Sequence, residues 1–69
     1  MKIIILGHTV EYEEAARQGV VYLTQKIDSH EARVFFDQAL RKGVAHFEDQ
    51  MGCNYKLSLN GSEYNLIKV

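Results

Sequence analysis

The feature that most narrows what this chain can fold into is Asn60-Gly61, set between two alternating runs. Tyr55-Lys56-Leu57-Ser58-Leu59 precedes it, and Ser62-Glu63-Tyr64-Asn65-Leu66-Ile67-Lys68-Val69 follows. Asn-Gly is the strongest short hairpin signal, because both central residues of a type I′ turn need positive φ. A turn at these two residues sets Leu59 opposite Ser62, Leu57 opposite Tyr64 and Tyr55 opposite Leu66. Side chains alternate along a strand. Tyr55, Leu57, Leu59, Tyr64 and Leu66 therefore share one face, and Lys56, Ser58, Glu63 and Asn65 share the other. A two-stranded hairpin is marginal in water, so the apolar face needs cover from earlier in the chain.

That cover must come from one small domain, residues 1–69. A chain of this size buries only about 60% of the surface it exposes when unfolded. Hydrophobic content of 46% and charged content of 25% match a folded globular chain, not a disordered one. The single cysteine excludes an internal disulfide framework and fits a reducing compartment. With disulfides excluded, oligomerisation is the expected support for so small a core. Nine acidic against eight basic residues give a net charge of −1, which is no electrostatic footprint for nucleic acid. No apolar run approaches the roughly 20 residues of a membrane span, and the opening Met1–His8 lacks the form of a signal peptide. A soluble, cytoplasmic protein is expected.

Taken in order, Lys2–Leu6 is a short β-branched run ended by Gly7, the pattern of a strand buried on both faces. Thr9 is placed to cap a first helix from Val10 or Glu11, with Tyr12, Ala16, Val20, Leu23 and Ile27 as its buried stripe. Asp28 and Glu31 have capping-box spacing for a second helix, with Ser29 as the alternative cap. Its stripe is Ala32, Phe36, Leu40, Gly43, Phe47 and Met51, and Gly52 ends it. Gly19 and Gly43 both fall on apolar helix faces, where each costs about 1 kcal/mol relative to alanine; close backbone approach is the expected reason.

The predicted fold is α+β: a two-layer β-α-α-β-β domain with a three-stranded mixed sheet covered on one face by two helices. Ile67 and Val69 lie on the otherwise polar side of the hairpin, as if beside the first strand. That favours strand order 1-3-2, with 1-2-3 as the alternative. The first strand is then an edge carrying apolar side chains on both faces, which natural proteins rarely leave open. Ile3, Ile4, Ile5, Leu6, Ile67 and Val69 are accordingly the expected homodimer interface.

The sequence specifies no biochemical activity. Gly7-His8-Thr9 follows a strand, but one glycine does not make a phosphate-binding turn. The predicted topology gathers His8, His46, Asp49 and Cys53 near one end, a donor set suited to zinc and related metals. A Cys-His pair could also serve as nucleophile and base, although the spacings match no signature. The leading expectation is a protein-interaction or regulatory module, homodimeric and without a catalytic role or cofactor, binding itself or another protein. The alternative is a small-molecule or metal-binding protein, conceivably an enzyme, using the His8/His46/Cys53 end. A nucleic-acid-associated regulator is the weaker third.

Overall fold

The first apolar run leads into a hairpin. In the computed structural model, which describes residues 1–69, Leu6 (φ 52°) and Gly7 (φ 82°) both take left-handed backbone. They close a two-residue turn that pairs β1 (Lys2–Ile5) antiparallel with β2 (His8–Tyr12). The expected helix start at Val10 or Glu11, capped by Thr9, is therefore corrected. His8-Thr9-Val10-Glu11-Tyr12 alternates as a strand, with Val10 fully buried.

The first helix begins after Glu13. It opens with a 3-10 turn (Glu14–Ala16), continues as α1 (Arg17–Val21) and ends in a π-helical turn (Tyr22–Lys26). Ala16, Val20 and Leu23 are buried along it, as helical spacing requires. Where the ladder widens into the π turn, the Thr24 hydroxyl donates to the Val20 carbonyl at 2.8 Å.

Asp28 caps α2 (Ser29–Lys42), accepting from the Glu31 N–H at 2.8 Å. Ala32, Phe36 and Ala39 face the core, whereas Leu40, expected on that stripe, is exposed. The helix ends at Gly43 (φ 85°), whose N–H donates to the Ala39 carbonyl at 2.8 Å. A left-handed glycine after a basic last turn is a helix stop. Beyond it Val44–Glu48 forms β3, so Phe47 enters the core from a strand and Met51 lies exposed in a loop. The expected helix through Met51 is thus two elements.

The C-terminal hairpin joins β4 (Asn54–Asn60) to β5 (Glu63–Lys68). Asn60 pairs with Glu63, Leu59 with Tyr64, and Leu57 with Leu66, so the turn residues are Gly61-Ser62, not Asn60-Gly61. Gly61 has φ 66° and Ser62 does not share the positive φ, the pattern of a type II′ turn. Each partner is offset by two residues from the expected register. An even offset keeps every side chain on its own face.

The sheet has five strands in the order β1-β2-β5-β4-β3, with both helices over one face. The predicted α+β class agrees, but the three-stranded sheet in order 1-3-2 or 1-2-3 is replaced. β5 takes a parallel neighbour from the N-terminal part of the chain, Val10 pairing with Tyr64 and Tyr12 with Leu66. That neighbour is β2. Because β2 intervenes, Ile67 and Val69 do not adjoin the first strand. Gly19 explains how close the first helix lies: a Cβ there would sit 2.8 Å from the Tyr55 ring. Gly43 has open space around it, so close approach accounts for the first glycine and chain reversal for the second.

Two substitutions test the left-handed positions by thermal unfolding. Gly43→Ala places a Cβ in left-handed backbone, costing about 1–2 kcal/mol and lowering Tm by roughly 4–8 °C for each kcal/mol in a domain of this size. Leu6→Asn supplies a residue that tolerates left-handed backbone and raises Tm. An unchanged or higher Tm for Gly43→Ala would contradict the cap.

Candidate functional site

The four residues expected to share one end of the molecule occupy three places. His8 opens β2 on the inner face, stacked on Phe36 with ring centroids 4.8 Å apart and edge-on to Tyr64 at 5.0 Å. Its ring is part of the aromatic packing. His46 points from the exposed outer face of β3, beside Lys56 in the register. Only Asp49 and Cys53 come together, at the two ends of the β3–β4 connection. No group of three or more His, Cys, Asp or Glu side chains is placed to hold a metal ion.

The Asp49–Cys53 connection is organised by one carboxylate. Asp49 Oδ1 accepts from the Met51 N–H at 2.9 Å and the Cys53 N–H at 3.0 Å, and Oδ2 accepts from the Tyr55 hydroxyl at 2.8 Å. The Gly52 N–H closes the turn on the Asp49 carbonyl at 3.1 Å. Burial alone would push the Asp49 pKa up. The Tyr55 hydroxyl, the two N–H donors and the Lys68 charge outweigh it and hold the carboxyl below its ordinary range. The same contact acts oppositely on Tyr55: burial first, then the hydrogen bond and charge of Asp49, push its phenol well above its ordinary value.

This arrangement was legible in part. Asp-x-x-Gly at Asp49–Gly52 is a type I turn signature, but a glycine followed by Asn54 also fits a helix end. A cleft of about 470 Å³ opens beside the turn, lined by Gln18, Lys26, Asp49, Cys53, Tyr55 and Lys68 among others. Both Asp49 oxygens already have donors within the fold, so the carboxylate's contacts are those of a structural group.

The residues expected at a contact surface divide by face. Ile5 is buried and Ile3 is half-buried against the core, while Ile4 is 64% exposed on the outer face and Leu6 is exposed at the hairpin turn. Ile67 and Val69 are also exposed, but β2 separates them from β1. The backbone of β1 is half unpaired. The Tyr12 N–H donates to the Met1 carbonyl at 2.7 Å. Antiparallel pairs alternate between bonded and non-bonded. With Ile3 opposite Val10 and Ile5 opposite His8, the N–H and C=O of Lys2 and Ile4 are therefore the ones that point away from β2. The opposite edge, β3, likewise turns out Val44, His46 and Glu48.

The rest of the outer sheet face is polar, with Thr9, Glu11, Asn65, Ser58 and Lys56 across its middle. All four tyrosines and all three phenylalanines belong to or pack against the core, leaving no exposed aromatic platform of the kind that stacks nucleic-acid bases. No helix is long and apolar enough to cross a membrane. Comparison with protein-family models, with curated proteins and with solved structures gives no match.

The Asp49–Tyr55 pair has two pH signatures. Because its folded pKa is lowered, the Asp49 carboxylate stabilises the fold fully above its unfolded pKa, and that contribution is lost as pH falls through the folded value. Asp49→Asn is therefore destabilising at pH 7, and its difference from the unsubstituted protein closes in acid. In an alkaline absorbance titration Tyr55 ionises well above the ordinary phenol range, a component that Tyr55→Phe removes. Tyr55→Phe moves the Asp49 pKa back up, as read by carboxyl chemical shifts; no movement would show that the hydrogen bond does not set it.

Proposed function

We propose that this chain is a protein-interaction module that acts as a homodimer, making its contact through the free edge of β1. The carrying observation is the contrast between the two edges of one sheet. β3 presents His46 and Glu48 among its outward residues, side chains that discourage strand addition. β1 presents the unpaired N–H and C=O groups of Lys2 and Ile4, with Ile4 64% exposed, the Lys2 charge engaged by Glu63 of its own sheet at 3.1 Å, no proline in the chain and no inward charge on the strand. Strand addition to such an edge draws affinity from main-chain hydrogen bonds and selectivity from alternate side chains. The small core favours the same reading, since chains of this length gain support from self-association.

Leu6 adds to this. A β-branched or large apolar residue in left-handed backbone is costly, and such strain gathers where a surface is used. Here it holds an apolar side chain at the end of the open strand, where asparagine or glycine would serve the turn better.

Light scattering on a size-exclusion column tests the proposal. The expected result is a mass of two 7.9 kDa chains at micromolar concentration. Ile4→Lys and Ile4→Pro shift the protein to the monomer, the first by charge and the second by removing an outward N–H that the chain's own sheet does not use. A monomer at all concentrations up to solubility would end the reading.

A further inference from the structure

The open edge of β1 does not stand alone. Arg17 reaches the Met1 sulfur at 3.8 Å, and Leu23 and Thr24 line a cleft of about 240 Å³ with Ile4, Ile5, Leu6 and Ser29. The end of the first helix and the end of β1 thus share one cleft.

We infer that the strand pairing with this edge is β1 of a second copy, paired antiparallel about a two-fold axis that passes between the two Ile3 residues. This deepens the proposed function and rests on it. Only Lys2 and Ile4 turn their N–H and C=O outward, so bonded pairs across the seam can join only these residues. Three symmetric alignments satisfy that condition. Lys2 opposite Lys2 sets like charges face to face, which is destabilising, and forms a single bonded pair. Ile4 opposite Ile4 brings Lys2 against Leu6, and Leu6 at φ 52° cannot extend a ladder. Lys2 opposite Ile4 remains: it forms two bonded pairs, four hydrogen bonds in all, with no like charges in register.

The side chains fit the same alignment. On the outer face each Lys2 lays its methylene stem along Ile4 of the other copy while its ammonium stays within reach of Glu63, 3.1 Å away in its own chain. On the inner face Met1 of one copy falls opposite Ile5 of the other, beside the cleft that Ile5, Leu6 and Leu23 line. Met1 is half exposed in the single chain, and an unbranched thioether adapts well to an irregular gap. The contact is isologous and closes at two copies. Lys2 thereby acts as a register selector, because it penalises the alignment in which it would meet itself.

Disulfide trapping on a Cys53→Ser background reads the register. Non-bonded antiparallel pairs bring facing residues closest, near enough for a disulfide. Ile3→Cys is expected to give covalent dimer on mild oxidation at least tenfold faster than Ile4→Cys. Because Ile3 touches the core, the unsubstituted protein supplies a second readout: isotope-filtered spectra of mixed labelled and unlabelled chains show an Ile3 Hα to Ile3 Hα contact between copies. Faster trapping at Ile4 than at Ile3, with the mass still that of a dimer, overturns this register and leaves the dimer standing. A mass that climbs past two copies marks open-ended pairing of β1 with β3 and overturns both. A monomer throughout overturns the proposed function and the register with it.

Discussion

Tyr55 is the residue on which the rest of the fold depends. It is the largest fully buried side chain, stacked on Phe47 at 5.3 Å, and the helix backbone at Gly19 lies against its ring too closely for any Cβ. Its hydroxyl, which could not be buried without a partner, donates to Asp49. Asp49 in turn gathers the N–H groups of the β3–β4 connection. One side chain therefore fixes the height of the first helix above the sheet, the turn that reverses β3 into β4, and the packing of the aromatic cluster. No buried side-chain polar atom is left without a partner, which follows from the tyrosine and the aspartate satisfying each other.

The face assignments of the C-terminal hairpin, the buried stripe at Ala16, Val20 and Leu23, and the Asp28 cap could all be read from the sequence, because each depends on local periodicity or a short capping pattern. Two strands could not be read as easily. His8–Tyr12 hides behind a turn whose first residue is leucine, a side chain that left-handed backbone disfavours. Val44–Glu48 follows a stop signal, Lys42-Gly43, that resembles an interior glycine when the apolar spacing beyond it also fits a helix. Both errors extend a helix into a strand where a glycine had already ended the local structure. The hairpin turn was displaced by one residue, yet its faces survived, since strand parity is insensitive to a two-residue change in partner.

The suggested gathering of His8, His46, Asp49 and Cys53 depended on the longer second helix. With β3 in place of its last turns, His46 alternates to the outer face and only the loop pair stays together. Residue types suited to chemistry are thus dispersed by the same strand that completes the core. What the N-terminal run implied, an edge with apolar side chains on both faces, persists in altered form: Ile3 and Ile5 pack into or against the chain's own core, and Ile4 is the most exposed apolar residue of the run, ahead of Leu6 at the turn.

The parallel junction between β2 and β5 has a kinetic meaning. It joins Val10 to Tyr64 and Tyr12 to Leu66, segments from opposite ends of these 69 residues, whereas β3, β4 and β5 are linked by short turns. Contacts between distant segments must bear loop-closure entropy before they are rewarded. During synthesis the N-terminal hairpin emerges first but has no strand to dock against until β5 has been made. The open edge of β1 is therefore presented in its final setting only once all five strands have come together.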